Sequence, residues 1–244
     1  MMVRLTAVVI SALFMLLVSA RDAATGVAKA DDYSSFWIWG GVKPQPALAK
    51  AEQLYILQGE VVEEGLLDKT RVFVVPQGMP VARIKKGKVW LVYRVDTLHW
   101  NPEIVRQLVV RLKEWQRSGN PIVGLQIDFD AGSRSLNEYA AFLRQLRTEL
   151  PAEYRLSISG LLDWSSTGDV TTINRLVDVI DEIVIQTYQG RRTISDYHAY
   201  LPALRRLRIP FKIGIVQDGE WQAPDGMAQN PLFRGYVMFL LNQR

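Results

Sequence analysis

The sequence contains no cysteine, and this absence removes several classes of site. Disulfides, thiolate metal sites and lipid attachment through a cysteine are all excluded. Histidine is nearly as scarce: His99 and His198 are the only two, and they share no metal-ligand spacing. We therefore expect neither a metal nor any other cofactor; the alternative is a divalent ion bound by His99 together with Asp96 or with the Asp128 and Asp130 pair.

Clusters of basic residues are also scarce. The chain has 29 Lys and Arg against 25 Asp and Glu, a net charge of +4, and its one dense basic run lies at residues 85–88. A solvated turn before a strand accounts for that run, and nucleic-acid binding needs stronger clustering. We therefore expect no nucleic-acid partner. With 48% hydrophobic and 22% charged residues, the composition is typical of a folded globular protein.

No apolar run is long enough for a clear membrane span. The run from Leu5 to Val18 is shorter than the ~20 apolar residues that a spanning helix needs. It follows the basic Arg4 and ends at Ser19-Ala20, the arrangement of a cleavable signal peptide. The sequence therefore predicts export to the periplasm or the outside of the cell. Contact with the membrane is expected only if the segment stays uncleaved.

The rest of the chain alternates between short β-rich segments and helical ones. Pro102 to Arg117 has helical periodicity and follows Asn101, a suitable N-cap. The other predicted helices are Leu136–Leu150, Thr171–Asp178 and Ile194–Leu207. The predicted strands are Phe36–Trp39, Leu54–Leu57, Val89–Val95, Ile122–Phe129, Arg155–Gly160, Glu182–Tyr188, Phe211–Val216 and Gly235–Leu240. Eight such units favour an α/β fold, the (β/α)8 TIM barrel.

One region interrupts this regularity, because Gly59 to Val81 contains no clear helix before the third strand. An open, doubly wound sheet is therefore the alternative fold. Against it, residues 39–42 lack the glycine spacing of a phosphate-binding turn. The chain also ends soon after the eighth strand, so the last helix is expected to be missing. We predict three parts: a signal peptide (1–20), an exported segment (21–34) and the barrel domain (35–244).

The fourth predicted strand carries the most informative pattern. Side chains alternate between the two faces of a strand, so residues 123, 125, 127 and 129 form one apolar face. Gln126, Asp128 and Asp130 share the other face, which points into a barrel. Two carboxyl groups then lie at the C-terminal strand end, where barrel enzymes keep their chemistry. Two negative charges this close predict a raised pKa for one of them.

Other polar side chains are expected at the same end. Gln186 and Tyr188 share one face of the sixth strand and are interpreted as positioning groups, or alternatively as a rim glutamine and a core tyrosine. Arg94 and Asp96 follow the third strand. If Arg94 pairs with Asp128, that aspartate stays ionised and Asp130 is the better acid; a salt bridge between Arg94 and Asp96 is the other possibility.

Two further alternatives stay open for the aspartates: Asp130 caps the following helix, and Asp128 pairs with an arginine. The remaining predicted ligand contacts lie at or beyond strand ends, where aromatic rings stack well on sugars although most tryptophans are core residues. These contacts are Trp39, Trp164 and Gln217.

At these residues the sequence resembles the chitinase-like barrels of glycoside hydrolase family 18. Their fourth strand carries Asp-x-x-Asp-x-Asp-x-Glu, which aligns Asp128 with the third aspartate and Asp130 with the acidic glutamate. Their sixth strand ends in Met-Thr-Tyr-Asp, which aligns with Tyr188 and has glutamines at 186 and 189 here. The eighth strand is similar as well, with Phe239 in place of a tryptophan. A closer likeness is to exported bacterial proteins with Gln-Ile-Asp-x-Asp on a barrel strand, a domain of unknown function.

The resemblance implies an exported barrel that acts on a polysaccharide, with Asp130 as general acid, Asp128 as its partner, and Tyr188 and Gln186 as positioning groups. Aspartate is shorter than glutamate by about 1.5 Å, and a displacement of that size costs about 100-fold in rate. Chitinase activity itself is therefore not expected. The alternative function is a non-catalytic barrel that binds glycan or stabilises an envelope assembly. A carbohydrate ligand is expected in either case.

Overall fold

In the computed structural model, the described residues are 26–66, 69–130, 135–165 and 170–242. The predicted signal peptide and the start of the 21–34 segment lie outside the described residues. Eight parallel strands form the centre. They are β1 (Ser35–Ile38), β2 (Gln53–Leu66), β3 (Lys88–Val95), β4 (Ile122–Asp128), β5 (Arg155–Leu161), β6 (Glu182–Gln186), β7 (Phe211–Val216) and β8 (Phe233–Phe239).

The eight strands close into a barrel. Each is parallel to its barrel neighbours, and β1 pairs with both β2 and β8, which joins the two ends of the sheet. Every predicted strand overlaps one of these strands. The predicted (β/α)8 fold is confirmed, and the open doubly wound sheet is wrong.

Two long helices cover one side of the barrel: α1 (Pro102–Arg117) and α2 (Leu136–Glu149). The first begins where predicted, because the Asn101 side chain accepts hydrogen bonds from the backbone N–H groups of Glu103 and Ile104 at 3.0 and 3.3 Å. Its apolar stripe, including Leu112 and Trp115, is completely buried against the strands. Burial of this stripe fixes the orientation of the helix.

The later helices are shorter than the sequence predicted. Only α3 (Val170–Asn174) forms in the first region, and its β-branched residues have low helix propensity. In the second, α4 (Tyr197–Tyr200) gives way to a 3-10 helix in which Pro202 has no N–H to continue the α pattern. The 3-10 helices are Ala30–Asp32, Pro46–Lys50, Leu162–Ser165, Leu201–Arg206 and Met227–Gln229.

A β-hairpin replaces the helix that normally follows the second strand of this fold. The strand Lys69–Pro76 runs antiparallel to β2, from Leu66 opposite Lys69 to Gly59 opposite Pro76. This is the region without helical periodicity. Its run of valines and phenylalanine favours a strand. The remaining short strands are Gly26–Val27, Tyr188–Gln189, Arg192–Thr193 and Glu220–Trp221. No described helix is long and apolar enough to span a membrane.

The barrel has an apolar wall and a mixed interior. Leu125 and Ile127 of β4 point outward into the core under the helices and are fully buried, as predicted. Val123 differs: it packs against the interior cluster, next to a register irregularity between β3 and β4. That cluster contains Trp37, for which Gly214 makes room, since a Cβ there would lie 2.6 Å from the indole ring.

Candidate functional site

Asp128 is the central residue of the candidate site. It ends β4, lies opposite Arg94 of β3 in the sheet, and is only 7% exposed. Its Oδ1 accepts a hydrogen bond from the Ser159 hydroxyl and one from the Gln186 side-chain amide at 3.4 Å. Three neighbouring strands therefore hold this carboxyl group at the C-terminal end of the barrel.

The surroundings of Asp128 favour its protonated form. Burial is the largest cause and the charge of Asp130 adds to it, so that the pKa rises from 3.8 to about 6. The bonds from Ser159 and Gln186 and the charge of Arg94 act in the opposite direction but do not cancel the effect. Near pH 6 this site thus holds a carboxyl group that readily gives up or takes a proton.

Asp130 lies two residues beyond Asp128 and is exposed. It does not cap the next helix, because Ser135 occupies the N-cap position of α2. Both aspartates line the same cavity of about 490 Å³, which we call the upper cavity. Its lining residues are Trp39, Arg94, Asp128, Asp130, Leu161, Gln186, Tyr188, Gln189, Gly190, Ile194 and Phe239. A carboxyl pair is therefore open to a ligand of sugar size.

Aromatic rings form one wall of the upper cavity. Phe239 stacks on Tyr188 with ring centroids 5.5 Å apart and meets Trp39 edge to face at 5.5 Å. Burial, together with the charge of Asp128, raises the pKa of Tyr188 well above its usual value, so its phenol stays protonated. The buried Trp39 indole N–H has no hydrogen-bond partner among the described residues. The wall thus combines ring surface with polar groups.

Arg94 forms neither of the two ion pairs expected from the sequence. Its Nε lies 3.7 Å from Oε1 of Glu60, a residue of β2, and its side chain is about half exposed. Asp96 is exposed and does not line the upper cavity. The pKa of Asp128 stays raised because burial outweighs the charge of Arg94. The condition under which Asp130 would be the better acid is not met.

Besides Asp96, three of the predicted ligand contacts lie away from the upper cavity. Gln126 is fully buried below it, accepting a hydrogen bond from the Trp37 indole at 2.6 Å and donating one to Ser157 at 3.0 Å. Trp164 is buried on the outer side of β5, close to Gly160. Gln217 is buried and accepts a hydrogen bond from the backbone of Leu241 at 2.9 Å. These side chains support the barrel rather than line the cavity.

The structure adds residues that sequence analysis did not include in the site. The Ser159 hydroxyl donates a hydrogen bond to Asp128. The sequence signal for this residue was its position two residues after Ser157, on the face of the strand that points into the barrel. Leu161 and Ile194 also line a smaller adjoining cavity of about 230 Å³. Nothing in the sequence pattern distinguishes these two apolar residues from core positions. In the described part of the chain, no three His, Asp or Glu side chains gather as a metal site.

Comparisons with known proteins agree with the fold. Residues 91–203 match the family described as "Domain of unknown function (DUF3142)". No curated protein sequence matches the chain. Two crystal structures of xylanase and α-amylase inhibitor proteins, XAIP-III and XAIP-I in complex with trehalose, are both 14% identical with TM-scores of 0.52. They cover 85% and 84% of this chain and 93% and 92% of their own.

A third similar structure is the spore cortex-lytic enzyme SleL from Bacillus cereus. It is 13% identical with a TM-score of 0.48, and the match covers 75% of this chain and 51% of that one. At these identities the two inhibitor structures support the barrel fold alone.

Proposed function

We propose that this chain is an exported, glycosidase-like barrel that cleaves a glycosidic bond of a polysaccharide bound in the upper cavity. The observation that carries the proposal is the environment of Asp128: a buried carboxyl group whose pKa is raised to about 6, beside Asp130 and an aromatic wall. Glycosidases need one protonated and one ionised carboxyl group at the bond they cleave.

The two aspartates take different roles in this proposal. Asp128 is the general acid that donates its proton to the leaving oxygen as the glycosidic bond breaks. Its burial keeps it partly protonated near pH 6. Asp130 is the exposed partner whose negative charge stabilises the positive charge that develops on the sugar ring. A water molecule then forms the new bond to the anomeric carbon, and the proton it loses returns to the Asp128 carboxylate. This assignment of the two aspartates exchanges the roles that the family resemblance implies. The exchange follows from the burial of Asp128, which raises its pKa although the charge of Arg94 lowers it, and from the pairing of Arg94 with Glu60 rather than with Asp128.

The remaining groups bind and orient the sugar. The rings of Trp39 and Phe239 offer apolar surface to the C–H face of a sugar. The Trp39 indole N–H and the Gln186 amide offer hydrogen bonds to its hydroxyl groups. The inhibitor protein XAIP-I was crystallised with trehalose, which is consistent with a carbohydrate ligand on a barrel of this kind.

The test is hydrolysis of a panel of acetylated, deacetylated and uronic polysaccharides. We expect Asp128→Asn to lower kcat by about 10²- to 10⁴-fold, the contribution typical of a general acid. In the unchanged protein, kcat/KM should fall as the pH rises through about 6, since Asp128 then loses its proton. Asp178→Asn, the same change at an exposed position outside both the barrel interior and the cavity, is the matched control.

A non-catalytic glycan-binding barrel is the second candidate, and the similarity to two inhibitor proteins favours it. Asp130→Asn separates the two functions. If the protein is an enzyme, the variant loses turnover and keeps sugar binding. If it is a binding module, the unchanged protein already shows no turnover, and the variant keeps its affinity. Absence of hydrolysis across the whole panel, at every pH from 4 to 8, would refute the enzymatic proposal.

A further inference from the structure

A second cavity opens at the opposite end of the barrel, where the strands begin. It has a volume of about 550 Å³, and we call it the lower cavity. The residues that carry the argument are Tyr33, Ser35, Trp90, Glu182, Lys212 and Tyr236. The N-terminal end of a TIM barrel normally contributes stability rather than binding. A polar cavity of ligand size is therefore unexpected here.

Two buried charges of opposite sign lie at this cavity. Lys212 is 3% exposed, and its Nζ donates hydrogen bonds to Oε1 of Gln53 at 2.6 Å and to Ser35 at 3.4 Å. Glu182 is 8% exposed, and its Oε1 accepts hydrogen bonds from Tyr55 at 2.7 Å and Ser157 at 3.3 Å. An ammonium group has three donors and a carboxylate has two oxygens. Each group therefore retains hydrogen-bonding capacity.

The Trp90 indole provides an independent observation. Trp90 lines the cavity and is only 3% exposed, yet its N–H has no hydrogen-bond partner within the described ranges. Buried donors are nearly always paired, with protein or with another molecule. An acceptor supplied from within the cavity would satisfy this group.

The charges along the lining are balanced. The lining contains three cationic side chains, including Arg155 and Arg234, and four acidic ones, including Asp32 and Asp181. A strongly charged ligand would meet repulsion from one set or the other. A hydroxyl group, in contrast, donates and accepts hydrogen bonds at the same time.

Aromatic rings complete the lining. Tyr33 and Tyr236 are half-buried and meet edge to face with centroids 5.6 Å apart. Their rings offer the apolar surface on which the C–H face of a sugar packs.

We propose that the lower cavity is a second binding site, for a free neutral mono- or disaccharide. Ligand hydroxyl groups accept from Lys212 and from the Trp90 indole and donate to Glu182. This site is independent of the upper cavity and of any activity there.

The experiment measures binding of glucose, N-acetylglucosamine, trehalose and cellobiose to the full chain by calorimetry and tryptophan fluorescence. Glucuronate and glucosamine serve as charged counterparts of the neutral probes. We expect saturable binding of at least one neutral sugar that is unchanged in Phe239→Ala, a variant that removes a sugar-binding ring from the upper cavity. The variants Lys212→Met and Trp90→Phe should each weaken it by at least about tenfold, because each loses a donor in a buried site.

Tyr33→Ala, at a half-buried rim position, keeps the test decisive if Lys212→Met does not fold. It should also weaken binding in a chain that still folds. The proposal is overturned if no neutral sugar binds, if the charged sugars bind more tightly, or if binding is lost in Phe239→Ala and retained in Tyr33→Ala. The last result would place the bound sugar in the upper cavity.

Discussion

The two ends of the barrel use buried charge in different ways. At the upper end, Arg94 pairs with Glu60 rather than with Asp128, and burial raises the pKa of Asp128. At the lower end, Glu182 and Lys212 occupy the same interior and are held by neutral hydrogen-bonding groups. A buried carboxyl group with a raised pKa is typical of a catalytic site, whereas a buried pair of opposite charges is costly to break. The strand ends therefore differ in how their buried charges are held, although they share one interior.

The largest effect is expected from removal of one charge at the lower end. Two nearby negative charges, those of Glu182 and Glu52, act on the buried Lys212 ammonium group, and Glu182→Leu removes the larger effect, which should cost about 3–5 kcal/mol in the free energy of unfolding. Burial already lowers the pKa of Lys212, while the charge of Glu182 raises it. Chemical denaturation measures the loss. The double variant Glu182→Leu/Lys212→Met should recover most of it, and an equal or larger loss in the double variant would mean that the two charges are not coupled.

The next effect concerns the pH dependence of stability at the upper end. The folded pKa of Asp128, about 6, lies above its ordinary value of 3.8. Its contribution to stability is therefore complete below pH 3.8 and lost as the pH rises through 6. At about 1.4 kcal/mol per tenfold change this amounts to about 3 kcal/mol. Asp128→Asn should remove that dependence, so its stability relative to the unchanged protein increases between pH 3.5 and 7.

Denaturation of both proteins at several pH values checks this prediction. Asp178→Asn, at an exposed carboxyl group, should follow the unchanged protein throughout. If the free energy of unfolding depends on pH in the same way in Asp128→Asn and in the unchanged protein, Asp128 does not titrate near pH 6.

The smallest effect is expected outside both ends. Asn101→Ala removes the side-chain oxygen that accepts the N–H groups of Glu103 and Ile104, and it should cost about 1 kcal/mol. Thermal unfolding measures this loss. Sugar binding and hydrolysis should stay unchanged. This result would show that both ends of the barrel keep their function when the protein loses about 1 kcal/mol of stability. A decrease in sugar binding or in hydrolysis would show that the N-terminal end of α1 influences the cavities.

Local pattern predicted much of the barrel. All eight strands and the limits of α1 followed from alternation, helical periodicity and the Asn101-Pro102 cap. The hairpin after β2 was not predicted, since β-branched residues indicate a strand without specifying its partner. The helix predicted from Ile194 to Leu207 was too long, because its proline and the packing of its short turns favour a 3-10 helix. Tertiary contacts decide such cases.

The candidate site shows the same division. Alternation along β4 determined that Asp128 and Asp130 lie together at the strand end, because side-chain direction follows from the backbone repeat. Only the tertiary structure decided which carboxyl group is buried and which cation stands beside it, since both depend on neighbouring strands far apart in sequence. The lower cavity depends on tertiary structure alone. Its charges, Glu182 and Lys212, begin strands with no distinguishing pattern, and only closure of the barrel brings them to one interior.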